Sequence, residues 1–261
     1  MDNVNKTLYI PLYGKAYVSS KGIILDDKKA EEIWEKEQFA LKGKAKSKWL
    51  AYYMGMRSAV FDNWLRGQMA EDQNAVIIHI GCGMDSRVLR VGTNNHKWYD
   101  VDFPQVIDER CRYYRETADY KMLAGDARDV AWLDCIAETG SAVIVMEGIS
   151  MYLTTAEIKT LLEALGRRFE KLAVLMDCYT CLAAKLSAKG NPVNTVGVAQ
   201  VYGLDDPQVL AGGRIAFVRE HDLTPQKYID MLEPAERPVF SSLYAGRFSD
   251  KLYKLFEYSA C

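Results

Sequence analysis

The stretch AVIIHIGCGMDS, residues 75–86, decides the fold class of this chain. Residues 75–80 form a continuous run rich in β-branched side chains, which is typical of a strand that is buried on both faces. Gly81 and Gly83 follow at once and allow a tight turn into the next helix, where a ligand can approach the backbone closely. The stretch therefore predicts the first strand and the first loop of an open α/β sheet.

Further short apolar runs follow this strand and alternate with segments of helical periodicity. They lie at residues 97–101, 120–124, 142–146 and 172–176. Between the last two runs, Thr154 and Glu157 have the spacing of a capping box at the start of a helix with one apolar face. Strand–helix alternation repeated five times predicts a doubly wound α/β domain.

The first 70 residues have a different, helical pattern after an irregular start. Apolar residues recur near helical spacing from Asp27 onward, so we expect one helix to begin there. A second helix is expected over residues 49–65, stopping at Gly67 because glycine commonly ends helices.

The chain after the fifth strand also departs from the alternation. Residues 179–213 are expected to form a lid or a substrate-facing insertion. A sixth strand is expected at 214–219, followed by a helix that opens at Thr224 and Pro225, with Thr as the N-cap. Residues 251–258 are expected to form a closing strand.

The composition excludes several classes of protein. The 261 residues are 49% apolar and 26% charged, as in an ordinary globular protein, which argues against long disorder. Lys and Arg number 33 against 35 Asp and Glu, so the formal net charge is −2. A nucleic-acid-binding protein usually shows a basic excess or stripe, so no nucleic-acid partner is expected.

Membrane, secreted and metal-binding classes are also disfavoured. The longest apolar runs fall far short of the roughly 20 residues that a membrane span needs, and the polar N-terminus lacks the apolar region of a signal peptide. The six cysteines follow no disulfide framework, and Cys178 and Cys181 lack the second pair that a zinc site normally needs. We expect a cytoplasmic protein with free thiols, no membrane partner and no metal.

Acidic residues follow the strands of the predicted sheet at the points where they end. Asp100 and Asp102 come at the end of the second strand, Asp126 after the third and Glu147 after the fourth. Each one alone is equally well explained as a cap of the next helix. Together with the glycine loop they favour a cofactor crevice, because ligands bind at the carboxyl ends of such strands. The third glycine or alanine of a dinucleotide fingerprint is replaced by Ser86, which disfavours a nicotinamide cofactor.

Beyond these patterns, the sequence resembles the leucine carboxyl methyltransferase family, in its bacterial branch of polyketide-type O-methyltransferases. The stretches that carry the resemblance are IHIGCGMDSRVLR at 78–90, WYDVDFPQVIDER at 98–110, GDARD at 125–129 and VMEGISMYL at 145–153. Weaker support comes from LYIPLYGKA at 8–16, MGMRSAVFDNWL at 54–65 and YGLDDPQVL at 202–210.

The resemblance implies a class I methyltransferase that uses S-adenosylmethionine. Such a fold has a Rossmann-like sheet of seven strands with helices on both faces, and its last strand is antiparallel. It further implies one domain over residues 1–261, arranged in four segments. These are a helical N-terminal cap (1–70), a cofactor-binding core (75–178), a lid insertion (179–213) and closing strands with a helix (214–261).

Residues for the methionine part of the cofactor are carried over from the family one at a time. Arg57 matches an arginine that binds the methionine carboxylate, which suits a guanidinium fork. Gly81 and Gly83 match the glycine loop beneath the methionine, and Glu147 matches the acid near its amino group. Lys15 falls where relatives often have arginine in an N-terminal motif, and it is expected to make a lid contact.

The adenosine part has its own matches. Asp102 matches the acid that binds the ribose, with Asp100 as the nearer competitor. Asp126 and Ala127 match the pair beside the adenine, where a carboxylate can accept a hydrogen bond from the exocyclic amine.

The catalytic group is left open by the sequence. A carboxylate acceptor is already ionised and needs no base, whereas a hydroxyl benefits from one. Among the histidines, His79 lies inside a strand, His96 precedes a strand, and only His221 follows a strand on the ligand edge. Tyr152 is a second candidate, and with Tyr179 and Tyr202 it is expected near an acceptor pocket.

The resulting expectation is an S-adenosylmethionine-dependent O-methyltransferase that acts on a carboxyl or hydroxyl group of a small metabolite. Two alternatives remain open. One is a cofactor-binding module that has lost catalysis, and the other, more weakly supported, is an NAD-dependent oxidoreductase.

Overall fold

A computed structural model describes residues 8–37, 39, 41, 43–187 and 200–260 of the chain. The predicted lid insertion at 179–213 therefore lies partly outside the described residues.

The described residues form one sheet of seven strands. These are β1 (Val76–Ile80), β2 (Trp98–Asp102), β3 (Tyr120–Ala124), β4 (Ser141–Met146), β5 (Lys171–Tyr179), β6 (Ile215–Glu220) and β7 (Tyr253–Ala260). The strand order is β3-β2-β1-β4-β5-β7-β6. Strands β1 to β5 pair in parallel, whereas β7 is antiparallel to both β5 and β6. This topology confirms the predicted seven-stranded sheet and its antiparallel last strand.

Helices precede the sheet and cover it. They are α1 (Tyr9–Ser20), α2 (Lys28–Glu37), α3 (Lys48–Glu71), α4 (Arg87–Val91), α5 (Pro104–Arg110), α6 (Thr155–Arg168), α7 (Cys181–Ser187), α8 (Gln226–Ile229) and α9 (Arg237–Tyr244). Short 3-10 turns occur at Gly43–Lys46, Val130–Cys135, Ser150–Tyr152, Pro207–Leu210 and Gly246–Lys251. The predicted capping box is present at the start of α6, where Thr154 and Glu157 exchange hydrogen bonds.

Two hydrophobic clusters cover the two faces of the sheet, because alternate residues of each strand point in opposite directions. On one face, Ile77 of β1 and Val143 of β4 belong to the same cluster as Phe61 of α3. On the other face, Ile78 and Ile144 belong to a cluster that includes Leu161 of α6. Burial on both faces explains why these strands are continuously apolar in sequence.

Two expected boundaries are wrong in detail. Helix α3 does not stop at Gly67 but continues to Glu71. A glycine inside a helix costs only about 1 kcal/mol relative to alanine, which the buried face of a 24-residue helix outweighs. At the other end of the chain, residues 246–251 form a 3-10 turn, so the closing strand starts at Tyr253 and not at residue 251.

The segment after β6 also differs from expectation. The helix near Thr224 and Pro225 begins only at Gln226, is a single turn, and has Pro225 as its N-cap residue. The Thr224 backbone N–H instead bonds to the side chain of Asp222 at 2.8 Å, in a turn that precedes the helix.

Helix α1 packs closely on α3 through two glycines. A Cβ atom on Gly14 would lie 2.6 Å from Met54 Cβ, and one on Gly55 would lie 2.7 Å from Val18 Cγ2. Val18 is fully buried, so its short branched side chain has no space to move away. The absence of side chains at these two positions therefore fixes the distance between α1 and α3.

Two glycine substitutions in α3 are expected to change stability in opposite directions. Gly55→Ala should lower the free energy of unfolding by about 1–3 kcal/mol, because it overpacks the α1–α3 contact. Gly67→Ala is the matched control, since a Cβ atom added there would have no neighbouring atom within 4 Å. It should raise stability by about 0.5–1 kcal/mol through helix propensity. Urea unfolding measures both, and a stabilised Gly55→Ala variant would contradict the close packing of these helices.

Candidate active site

A cavity of about 390 Å³ lies at the carboxyl ends of the parallel strands, with helix α1 along one side. Its lining includes residues from the ends of four strands, namely Gly81, Asp102, Asp126 and Glu147. These are the positions at which the sequence placed a crevice. Neighbouring parallel strands end at the same edge of the sheet, so residues distant in sequence meet there.

The glycine loop after β1 forms a cradle without side chains. Gly81 and Gly83 have φ of +70° and +51°, a region that favours glycine. A Cβ on Gly81 would lie 2.7 Å from Ile149 Cδ1, and one on Gly83 would lie 3.1 Å from Leu8 Cδ2. Larger residues would fill the cradle, so the loop is shaped to admit a ligand against its backbone.

Two aspartates of β2 have separate environments. Asp102 lines the cavity, and its two carboxylate oxygens accept hydrogen bonds from the N–H groups of Gly83 and Phe103, both at 2.8 Å. Burial raises its pKa, although these two N–H groups oppose the shift. Asp100 lies one pleat deeper and is fully buried. It accepts hydrogen bonds from Trp98, Tyr120 and Arg110, and it is not among the described residues that line the cavity.

Arg57 projects from α3 into the cavity and is held by two carboxylates. Its Nε and Nη2 atoms lie 3.1 and 3.0 Å from Glu147 Oε1, and its Nη1 lies 3.0 Å from Asp177 Oδ2. Nη1 also donates to the Tyr253 hydroxyl at 2.8 Å. Within the described residues, the contacts that have hydrogen-bond geometry are those of Nε with Glu147 and of Nη1 with Tyr253, so Nη2 retains N–H groups for a ligand.

Glu147, at the end of β4, joins two arginines. Oε1 accepts from Arg57 and from Ser58 at 2.8 Å, while Oε2 accepts from Arg87. Burial alone would raise the pKa of Glu147, but Arg57 and Arg87 lower it to about 2. The carboxylate is therefore charged at neutral pH.

Lys15 connects helix α1, which lies along one side of the cavity, to the buried ion pairs of Arg87. Its Nζ lies 3.1 Å from Asp85 Oδ2, with both side chains buried. Asp85 also lies 3.3 Å from Arg87 and 2.7 Å from Arg90. Burial opposes ionisation of Asp85, yet the three cations hold its pKa well below its usual range.

The third strand end carries Asp126 and Ala127. Both oxygens of Asp126 accept hydrogen bonds from the Arg128 guanidinium, and these bonds are the main cause that lowers the Asp126 pKa. Ala127 is buried at the cavity wall. The far end of the cavity thus combines a partly exposed carboxylate with a small apolar side chain.

Two residues of this site are not predicted from the sequence, and the position of a third differs from expectation. Asp177 lies near the end of β5, and Tyr253 begins β7. Lys15, for which the sequence predicts a lid contact, lies beside Asp85. Asp177 offers the same signal as the other strand-end acids, an acidic residue closing an apolar run. No local signal points to Tyr253, because antiparallel pairing with β5 brings it to the edge.

The three histidines have different positions. His79 is buried at the base of the cavity, where its Nε2 lies 3.0 Å from Arg87 Nη1. His96 contacts the carbonyl oxygens of Thr93 and Asp72, at the opposite end of the strands. His221 Nε2 lies 2.6 Å from Glu257 Oε2, and His221 is not among the described residues that line the cavity.

Aromatic residues line the end of the cavity next to β5 and β7. Tyr152, Tyr179 and Tyr253 are in the lining, and the rings of Tyr179 and Tyr253 meet edge to face with centroids 5.1 Å apart. Tyr202 is not among the described lining residues, and its N–H bonds to the carbonyl of Met151. Burial is the main cause that raises the pKa of Tyr152 above its usual value.

The described ranges contain neither a membrane span nor a metal cluster. No helix there is both long and apolar enough to cross a bilayer. Likewise, no group of three or more His, Cys, Asp or Glu side chains within those ranges has an arrangement that could hold a metal ion.

Two solved structures share this fold over nearly the whole chain. A DUF574 family protein from Streptomyces avermitilis has a TM-score of 0.57 at 11% identity and covers 95% of this chain and 97% of its own. Magnesium protoporphyrin IX methyltransferase from Synechocystis, with bound SAH, has a TM-score of 0.54 at 10% identity and the same coverage. At such identities the likeness establishes the fold alone, and it confirms the predicted class I methyltransferase fold.

The sequence comparisons define the class of protein, a methyltransferase that depends on S-adenosylmethionine. A family model described as leucine carboxyl methyltransferase matches residues 7–166, more than half of the chain. The chain belongs to this family, and the resemblance seen in its motifs is confirmed.

Two curated relatives are similar in sequence. Tetracenomycin polyketide synthesis O-methyltransferase TcmP from Streptomyces glaucescens is 26% identical over 204 residues, which cover 76% of each chain. The S-adenosyl-L-methionine-dependent methyltransferase dpfgK from Gibberella zeae is 31% identical over 150 residues, covering 52% of this chain and 50% of its own.

His79 is expected to make stability depend on pH. A guanidinium only donates hydrogen bonds, so the His79 Nε2 atom facing Arg87 carries no proton and the ring is neutral. Burial, and then the charge of Arg87, lower its pKa from 6.5 in the folded protein. As pH falls, His79 is protonated in the unfolded chain at a higher pH than in the folded protein. The free energy of unfolding therefore decreases below about pH 6.5, by at most about 1.4 kcal/mol per pH unit.

The measurement is urea unfolding of the protein and of His79→Asn between pH 7.5 and 5.5. The variant should have the shallower dependence, because it lacks the titrating group while the other histidines are unchanged. Parallel pH profiles would contradict the neutral assignment of His79.

Proposed function

We propose that this protein is an S-adenosylmethionine-dependent O-methyltransferase that acts on a carboxyl or hydroxyl group of a small metabolite. The observation that carries the proposal is a cavity that unites the glycine cradle, the strand-end carboxylates and the buried Arg57. This set supplies, in one place, partners for every polar part of the cofactor.

The residues present fit the cofactor by their chemistry. Arg57, with the N–H groups of Nη2, and Lys15 would hold the methionine carboxylate, and Glu147 would accept from the amino group. Asp102 would bind the ribose hydroxyls, since a carboxylate that already accepts two backbone hydrogen bonds still has free lone pairs. Asp126 and Ala127 would flank the adenine.

The cofactor supplies a methyl group on a positively charged sulfur, and the chain supplies orientation and exclusion of water. Helix α1 and the apolar side chains of the lining shield the reacting atoms, so an acceptor oxygen can be held in line with the methyl group. Among the described lining residues, Asp85, Asp102, Asp126 and Glu147 are each already bonded to cations or to backbone N–H groups. An acceptor that is already ionised, such as a carboxylate, needs no further base.

The acceptor is proposed to bind at the aromatic end of the cavity, near Tyr152, Tyr179 and Tyr253. Flat apolar molecules pack well on such rings. The similarity to an O-methyltransferase of polyketide synthesis supports a polyketide-type metabolite as acceptor. Transfer of a labelled methyl group to such an acceptor, followed by mild base, shows which kind of oxygen is methylated. Base releases the label from a methyl ester formed on a carboxyl group and leaves it on a methyl ether formed on a hydroxyl group.

The experiment that tests the proposal is a thermal-shift titration with S-adenosylhomocysteine, with NAD as control. A ligand that binds only the folded state stabilises it by about 2.7 kcal/mol at a hundredfold excess over Kd. We expect a shift with S-adenosylhomocysteine and none with NAD. No shift with S-adenosylhomocysteine would overturn the proposal, and binding without transfer to any acceptor would favour the non-catalytic module.

The two aspartates of β2 are expected to respond differently to substitution. Asp102→Asn should weaken S-adenosylhomocysteine binding by about tenfold or more, the scale of a lost charge-assisted hydrogen bond. Asp100→Asn should lower stability, because Arg110 then lacks a buried anionic partner, with a smaller effect on affinity. Calorimetric titration together with thermal unfolding compares them, and equal losses of affinity would contradict the assignment of Asp102 to the ribose.

A further inference from the structure

Tyr253 and Asp177 form a hydrogen-bonded pair behind Arg57. The Tyr253 hydroxyl donates to Asp177 Oδ2 at 2.7 Å and accepts from Arg57 Nη1 at 2.8 Å. Asp177 Oδ2 also lies 3.0 Å from the same Nη1. One side of the guanidinium is thus fixed by two oxygens that come from β5 and β7.

Asp177 is itself held rigidly. Its Oδ1 accepts from the N–H of Gly148 at 2.7 Å, in the turn that follows β4. Its backbone carbonyl accepts from the hydroxyl of Ser150. The Asp177 side chain is also fully buried. Contacts with the turn after β4 and with the start of β7 therefore fix its position.

The backbone conformation of Gly148 keeps the other side of the guanidinium open. Gly148 has φ of +75°, and a Cβ there would lie 3.4 Å from Arg57 Nη2. The N–H groups of Nη2 therefore lie next to a position that has no side chain. Because Nε, Nη1 and Nη2 lie in one rigid plane, the contacts of Nη1 and Nε together decide where the N–H groups of Nη2 point.

We infer that Tyr253 and Asp177 are positioning residues that aim Arg57 at a ligand carboxylate, so that the site selects ligands that carry an amino-acid portion. The inference rests on the proposed function, in which Arg57 binds the methionine carboxylate. Neither residue lies in the span matched by the family model, which ends at residue 166. The pair acts through Arg57, and its effect is confined to ligands that reach that side chain.

The test compares two ligands by calorimetric titration. S-Adenosylhomocysteine carries the amino-acid carboxylate, whereas 5′-methylthioadenosine has the same adenosine and thioether but lacks it. Tyr253→Phe should weaken S-adenosylhomocysteine binding by about tenfold and leave 5′-methylthioadenosine within about twofold. A general loss of structure would weaken both ligands together, so the ratio of the two affinities is the readout.

Two further variants complete the design. Asp177→Asn should give the same selective loss, because an amide cannot accept at both of its terminal atoms. Tyr258→Phe is the matched control, since this β7 tyrosine bonds to the Pro207 carbonyl on the opposite face of the sheet. It should change neither affinity.

The outcomes separate the two proposals. An unchanged affinity ratio in Tyr253→Phe and Asp177→Asn, or tighter binding of S-adenosylhomocysteine, would overturn the positioning role while the cofactor assignment stands. Absence of S-adenosylhomocysteine binding by the unmodified protein would overturn both.

Discussion

The candidate site depends on one buried interaction, the contact of Arg57 and Arg87 with the two oxygens of Glu147. Removing such groups from water costs several kcal/mol per ion, so each must be fully paired. The two arginines come from α3 and α4, and the carboxylate ends β4. The same ion pairs therefore attach helices α3 and α4 to the sheet and place Arg57 in the cavity. The connected network comprises Lys15, Arg57, Arg87 and Arg90 with Asp27, Asp62, Asp85, Glu147 and Asp177. Among these residues the carboxylates exceed the cations by one, which suits a cofactor with an amino group, a sulfonium and a single carboxylate.

The residues that line the two ends of the cavity come largely from different parts of the chain. The span that the family model matches, residues 7–166, includes α1, the glycine cradle and the ends of β1 to β4. Asp177, Tyr179 and Tyr253 lie beyond that span and line or support the aromatic end. A cofactor common to a family needs a constant set of partners, whereas acceptors differ between enzymes. The division along the chain is not strict, because Tyr152 of the aromatic end lies inside the matched span, and Tyr253 and Asp177 beyond it also hold Arg57.

The strands and the residues at their ends can be predicted from the sequence, because both depend on local patterns of apolar and polar residues. Continuous apolar runs indicated five parallel strands, and the residues that close them, such as Gly81, Asp102 and Glu147, all line one cavity. Helix ends were less predictable, since tertiary packing carries α3 through Gly67 to Glu71. Tyr253 could not be found from local signals, because only the antiparallel pairing of β7 with β5 brings its hydroxyl to Asp177. The contact of Lys15 with Asp85 likewise joins residues seventy positions apart.

Asp100 and Asp102 illustrate why spacing alone cannot assign a ligand contact. Both point to the same face of β2, because residues two apart in a strand do so. Asp100 pairs in register with His79 of β1 and lies beneath Arg110. Burial opposes ionisation of its carboxyl, but Arg110 and the neighbouring hydrogen-bonding side chains together lower its pKa to about 2. Asp102 lies at the last position of the strand, where its partners are backbone N–H groups of the loop. A difference of two positions along β2 thus separates Asp100, which is paired within the core, from Asp102, which a ligand can reach. The point at which the neighbouring strand ends decides which of the two is accessible.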